Sequence, residues 1–276
     1  MRFFPTAVGR GEFFCFTPGA NRVQSRPLES TPDDNSSPAA SCLCAFSHDW
    51  RANDAAGDFL GIFIMHEAAA MLDALYSKCD TRHGALVIVS ACKRRIIKAF
   101  PLGSSRLLVE AAKVMTDHPG SYYKVNPMDY GAIQQRTGET KRHVVGNQSE
   151  VNSIVSIHAD VDADKPGYLS RSAALWAIGN MPVKPTITIN SGSGGFHIYY
   201  LLRDPWLIRS EEQRAKWAAL SKAWQAKLRE MCGGMLDSTA NLDRILRCVG
   251  STRDDGRQVT CESCDFSRLY EMKDFN

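Results

Sequence analysis

The residues of this chain best equipped for chemistry fall in three short segments. The first is "HADVDADK", where Asp160 and Asp162 stand two apart. On a strand, positions i and i+2 face the same way. Two adjacent ionised carboxylates repel, and a divalent cation held by both converts that repulsion into attraction. Their hard oxygen donors suit Mg²⁺ or Mn²⁺. The second segment is "NSGSGGFHIYY". Ser193, Gly194 and Gly195 form a stretch whose backbone N–H groups can close on an anion. His197 follows at the start of an apolar run, where its ring can reach back over the loop and donate to a phosphate oxygen. The third is "LDSTANLDRILRCVGS". Asp237 follows a Gly-Gly turn and an apolar pair, which would let it reach the sheet face as a third carboxylate. Asp243 is the other candidate for that place. Arg244 and Arg247 are three apart, a helical spacing that makes them neighbours. The guanidinium fork matches phosphate geometry.

Taken singly, each pattern has a plainer reading: a solvated strand end, a simple hairpin, an exposed amphipathic turn. Cys261 and Cys264 form half of a zinc pattern with no second half, so two loop cysteines is the simpler account. Lys93, Arg94, Arg95 and Lys98 are candidates for a nucleic-acid track, although such a run is more often a solvated face.

The elements that must position these groups are legible from periodicity. In the second half, residues 152–162 alternate as a strand, and 170–180 read as a helix. "KPTITIN" (184–190) and "FHIYYLL" (196–202) are strands joined by the glycine cluster as a hairpin. Residues 210–232 form the longest helix, with Ser210 as N-cap and Glu211 and Glu212 suited to its positive end. A last short strand is expected in "SRLYEMK" (267–273). In the first half, 66–79 and 104–117 read as helices. "GALVIVSA", "RIIKAFPL" and "SYYKVNPM" read as strands, and 131–150 as a loop or weak helix. The second half therefore runs β-α-β-β-α-β, the α+β ferredoxin-like or RRM-like plan, packed with an N-terminal α/β unit. That plan alone decides no function.

The 276 residues, 44% hydrophobic and 23% charged, suit one large domain or two small ones with a sizeable core. A net charge of +3 permits a nucleic-acid partner without requiring one. Nine irregularly spaced cysteines argue against a secreted disulfide framework, so a soluble cytoplasmic protein is expected. There is no signal-peptide pattern, and no apolar run is long enough for a membrane span. Residues 1–60 are rich in Pro, Ser, Asn and Asp and are expected to form a disordered arm. Met65 opens a helix and is a candidate translation start. Domain limits follow: 65–276 as one functional domain, with a 65–150 α/β subunit and a 151–276 RRM-like catalytic subunit.

Order and spacing together say more than any single motif. A strand D-x-D, a helix, a Gly-rich hairpin with His, a long helix and then D-x5-D-R-x2-R-x2-G-S resembles the archaeo-eukaryotic primase superfamily. Within it, the chain is most similar to primase-polymerase domains of phages, plasmids and integrated elements. The resemblance spans about 65–276 and is densest over 152–253. Asp160 and Asp162 match the family's acidic pair, "GSGGFH" its small-residue segment ending in histidine, and Asp237 with Arg244 and Arg247 its third motif. The chain departs after Arg247: in "RCVGSTRDDGR" Val249 stands where the family often has proline, and no Asn and Lys follow. Arg253 or Arg257 are candidates for the missing charge.

The resemblance implies a template-directed DNA primase-polymerase, a nucleotidyltransferase using two Mg²⁺ or Mn²⁺ ions. It implies Asp160, Asp162 and Asp237 as metal-binding catalytic residues. Ser193, Gly194, Gly195, His197, Arg244 and Arg247 would bind the nucleotide, with His197 on phosphate rather than metal. Partners would be single-stranded DNA, nucleoside triphosphates and a helicase on another chain or a missing segment, since no G-x-x-x-x-G-K-[ST] occurs here. Two alternatives stay open. One is a catalytically silent replication-initiator or DNA-binding module with the same fold. The other, a rolling-circle nuclease, ranks low because "HIY" offers one histidine and no pair.

Overall fold

The computed structural model describes residues 56–90, 95–137, 146–231, 233, 236 and 240–275, with side chains from residue 65 onward. Residues 1–55 of the expected arm, Lys93, Arg94 and Asp237 lie outside the described residues; residues 56–60 of that arm belong to a helix that begins at Ala56, ahead of Met65. The described fold is mixed α and β. Two antiparallel four-stranded sheets are accompanied by helices α1 (Ala56–Tyr76), α2 (Ser105–Asp117), α3 (Tyr130–Thr137), α4 (Arg171–Gly179) and α5 (Glu211–Met231).

The first sheet contains β1 (Ala85–Ser90), β2 (Arg95–Pro101), β3 (Ser121–Lys124) and β7 (Ile245–Leu246), in the order β2-β1-β3-β7. Its edge strand β7 comes from the C-terminal half and pairs Leu246 with Tyr123. The second sheet contains β4 (Ser153–Val161), β5 (Ile187–Asn190), β6 (Phe196–Leu207) and β8 (Thr260–Cys264), in the order β4-β6-β5-β8. Strands β4 and β5 both run against β6, so they are parallel to each other and α4 makes a split β-α-β crossover. The β-α-β-β-α order expected from sequence is present. The closing strand differs: β8 lies beside β5 and leaves β4 at an edge, whereas a ferredoxin-like sheet closes beside its first strand. The segment 267–273 is not that strand; it ends in a short 3-10 turn at Met272–Phe275. The 131–150 region begins with the helix α3.

Local chemistry explains the boundaries. Ser170 accepts from the N–H of Ala173 at 3.3 Å to cap α4, and Ser210 accepts from Gln213 at 3.2 Å to cap α5. Ile157, Ala159, Val161, Phe196, Ile198 and Tyr200 line one face of the second sheet, buried against Trp217 and Trp224 of α5 and Ile178 of α4. Residues on the other face, Val155, Ile187, Tyr199 and Leu201, join a second core with α1, α2 and Leu86, Ile88 and Tyr123 of the first sheet. No described helix is long and apolar enough to cross a membrane.

Candidate active site between the two sheets

The antiparallel register does the first work of assembly. Asp160 near the end of β4 lies opposite His197 at the start of β6, and His197 lies opposite Ile189. Directly opposed residues share a face, so Asp160 and His197 are neighbours although 37 positions apart. The Nε2 of His197 stands 3.9 Å from Asp160 Oδ1. Two residues earlier in β4, on the same face, is His158, opposite Tyr199. Both histidines are buried.

The segment around β7 delivers the arginines from the first sheet. Arg244 places Nη2 3.3 Å from Asp160 Oδ2. Arg247 lays its guanidinium over the ring of Tyr122 in β3, 4.3 Å from the centroid, an attractive cation–π geometry. Lys124 holds this segment in place. Its side chain is 2% exposed, and its Nζ donates to the Asp243 carbonyl at 2.8 Å, the Asp243 carboxylate at 3.1 Å and the Gly146 carbonyl at 3.3 Å. Asn126 donates to the Leu242 carbonyl at 3.1 Å. Asp243, a candidate third acid, is thus the partner of Lys124.

The glycine loop is built against the acidic pair. Ser191 donates to the Gly195 carbonyl through both its N–H, at 3.0 Å, and its hydroxyl, at 2.9 Å, and that hydroxyl meets Ser193 Oγ at 2.8 Å. Gly194 has φ 98°, a conformation that L side chains rarely adopt. A Cβ on Gly195 would stand 2.6 Å from the Val161 carbonyl oxygen and 3.1 Å from Asp162 Cα. Only glycine lets the hairpin lie this close to the end of β4. Asp162 is itself buried and paired with Lys165.

Electrostatics follow from burial. Burial first, then Arg244 and His197, pushes His158 down to about 3. Burial also lowers His197, reinforced by Arg247 and Arg244 and opposed by Asp160. Both shifts favour the neutral ring, which still donates through one nitrogen. Burial lowers Arg247 and Lys124, the latter against the pull of Asp243. The Nδ1 of His197, both ring nitrogens of His158 and the Nε atoms of Arg244 and Arg247 are buried without a hydrogen-bond partner among the described residues. Backbone groups of Arg247, and of Asn241 and Ser156, lie near the two rings and affect their charge, but outside hydrogen-bond geometry. Orphaned donors of this sort are costly unless a ligand or water meets them.

The fold therefore gathers Asp160, Asp162, His197, Arg244 and the Ser193–Gly195 loop at one end of the second sheet, with Arg247 on the adjoining strand. Among the described residues no three His, Cys, Asp or Glu side chains are grouped closely enough to hold a metal ion on their own. Cys261 and Cys264 belong to no such group. A Glu262 bulge in β8 does put both on one side, opposite Ile189 and Ile187. The depressions lined by Pro182, Lys184 and Tyr270, and by Trp206, Trp217 and Tyr270, lie toward the other end of β5 and β6. Sequence reasoning missed Tyr122, Lys124 and His158; alternation along β4 was the available signal for His158.

No family model matches this chain, and no curated protein matches it. Solved structures do. The chain is similar to a primase-polymerase domain and to primase structures. One is the AEP domain of the cyanophage S-2L primase-polymerase, at 18% identity and TM-score 0.48 over 76% of this chain and 95% of that one. Another is the catalytic domain of primase RepB′ in complex with initiator DNA, at 9% identity and TM-score 0.44 over 76% and 91%. A further RepB′ primase structure matches at 11% identity and TM-score 0.43 over 77% and 60%.

Proposed function

We propose that this chain is a nucleotidyltransferase, a DNA primase-polymerase that extends a strand on a single-stranded DNA template. The observation carrying the reading is the juxtaposition of Asp160 with His197, Arg244 and the glycine hairpin. A carboxylate pair and a set of phosphate-directed donors meet at one sheet end. The Asp160 and Asp162 carboxylates fit Mg²⁺ or Mn²⁺ by the hardness of their oxygens. Asp160 and Asp162, with Asp237 as third acid, would hold two such ions. When bound, these would activate the attacking 3′-hydroxyl and neutralise the departing pyrophosphate.

The chain's own residues supply binding and orientation. Neutral His197 donates through a ring nitrogen to a phosphate oxygen. Arg247, aligned by Tyr122, and Arg244 offer guanidinium N–H groups to the same charge. The N–H groups of Ser193, Gly194 and Gly195 line the other side. Arg244 also balances Asp160 in the resting protein, so a residue that would hold a cation and one that would hold the triphosphate are paired with each other before either ligand binds. The separate nucleic-acid contacts and a helicase partner belong to the same reading, in the replication of a phage, plasmid or integrated element.

The test is primer synthesis and extension on single-stranded DNA with Mg²⁺ or Mn²⁺. The double variant Asp160→Ala, Asp162→Ala should lose at least about 10³-fold in nucleotide incorporation, the scale of removing central charge stabilisation. Equal activity of variant and wild type sinks the assignment. DNA binding that is strong and salt-sensitive, with no incorporation by wild type, would support the silent initiator module instead.

A further inference from the structure

The segment where the chain departs from the family pattern forms a tight hairpin. Thr252 bridges Gln258, and the Arg253 N–H donates to the Arg257 carbonyl at 2.8 Å. The hairpin carries two arginines with opposite fates. Arg257 is 58% exposed and paired only with Asp255. Arg253 is 17% exposed and turned onto the glycine loop. Its Nη1 donates to the Ser191 carbonyl at 3.4 Å, and its Cδ lies 2.7 Å from where a Cβ on Gly192 would stand. Gly192 has φ 73°, so glycine is needed there both for conformation and for room. Asp255 fixes the other edge of the guanidinium, with both carboxylate oxygens 3.2 Å from Nε.

We infer that Arg253 is a further phosphate-binding residue of this site, contacting the phosphate tail of the incoming nucleotide beside Arg247. This rests on the nucleotidyltransferase reading above. Two features carry it. Arg253 packs on the glycine loop through Ser191 and Gly192, and its charge adds to burial in lowering Arg247. Like charges held together in a half-buried cleft are unfavourable unless an anion lies between them. The acids near this pair, Asp254 and Asp255, do not fill that role alone: Arg247 keeps a buried Nε with no hydrogen-bond partner among the described residues. The Arg253 contacts engage Nε and Nη1, and among the described residues Nη2 makes none. Arg253 thus adds a guanidinium to the glycine loop, and a polyanion is the ligand whose charge suits that pairing.

The experiment measures binding of inorganic tripolyphosphate, a nucleoside triphosphate and a single-stranded oligonucleotide by calorimetry. Wild type, Arg253→Gln, Arg253→Lys and Arg257→Gln are compared. Arg253→Gln should weaken tripolyphosphate and nucleotide about tenfold or more, as expected for one charge-assisted contact. Arg253→Lys keeps the alkyl packing on Gly192 and should fall between, so the series does not depend on Gln being tolerated. Arg257→Gln and oligonucleotide binding should stay within about twofold. If wild type binds neither phosphate ligand, the nucleotide reading itself fails. If wild type binds both and the Arg253 variants bind equally well, the reading stands and the role of Arg253 falls. A loss confined to the oligonucleotide would assign Arg253 to the DNA backbone and also overturn the inference.

Discussion

The two faces of β4 and β6 are built from alternate residues of the same strands, yet they obey different rules. On the α4–α5 face, Ile157, Ala159, Val161, Phe196, Ile198 and Tyr200 pack on Trp217 and Trp224, and Tyr200 and Trp224 meet edge to face at 5.5 Å. This is ordinary core, where shape and apolar area set the energy. On the other face, His158 and His197 replace apolar residues at equally buried positions, and Asp160 stands beside His197 partly exposed. Buried polar groups without full hydrogen bonding cost stability, and sequences keep such cost mainly where a ligand uses it. One strand thus separates the dry core from the proposed site by a shift of a single residue.

Substitutions should show that separation. The largest stability effect belongs to the dry face: Trp224→Ala should cost about 3–5 kcal/mol in denaturant unfolding. Asp160→Ala, by contrast, should remove incorporation while leaving the unfolding midpoint near that of wild type. If both changes destabilise alike, the two faces do not differ as described. Gly195→Ala comes next. Its methyl would meet the Val161 carbonyl oxygen at 2.6 Å, so the loop must withdraw from Asp162. A loss of about 1–3 kcal/mol, with a raised KM for nucleotide, is expected. A substitution that changes neither would show that the close approach is incidental.

The effect that is smallest near neutral pH is one of titration. Burial, with Arg244 and His197 beside it, holds the His158 pKa at about 3 in the folded chain against about 6.5 unfolded. The unfolded chain therefore takes up a proton first as pH falls below about 6.5. Stability should drop on that side by up to about 1.4 kcal/mol per pH unit for this group, until the folded ring titrates near 3. His197 acts in the same direction. Replacing His158 with Leu should flatten the slope between pH 6.5 and 4 measured by chemical unfolding. An unchanged slope would place the titration elsewhere.

Much of the second sheet was readable in advance because its strands are strongly periodic. The acids on β4, the hairpin around Gly194 and the N-cap at Ser210 all follow from local rules. What could not be read depended on distant partners. "TCESC" carries little strand signal, and β8 forms there because β5 offers an open edge; "SRLYEMK" alternates well but meets the sheet only at Tyr270, which bridges Leu202 of β6 in parallel. Lys124 is a buried lysine in a strand, sensible only once Asp243, 119 positions away, is seen beside it. Tyr122 acquires a role only from the β3–β7 pairing that brings Arg247 over its ring. Arg253 and Arg257 were equivalent in sequence, and the hairpin turned one onto the glycine loop and left the other a solvated ion pair.

Because β8 closes the second sheet beside β5, β4 is left at an edge, with a row of backbone groups pointing away from β6. Two side-chain amides occupy that row. Asn126 Oδ1 accepts from the N–H of Val155 at 3.0 Å and of Ser156 at 3.5 Å, and Gln225 donates to the His158 carbonyl at 3.2 Å. These plugs come from the segment after β3 and from α5, so the whole fold must form before the edge is sealed. A chain caught before α5 docks would expose an apolar, nine-residue strand ready to recruit the same strand of another copy. Asn126 and Gln225 thus guard against self-assembly during synthesis, at the strand that bears the acids.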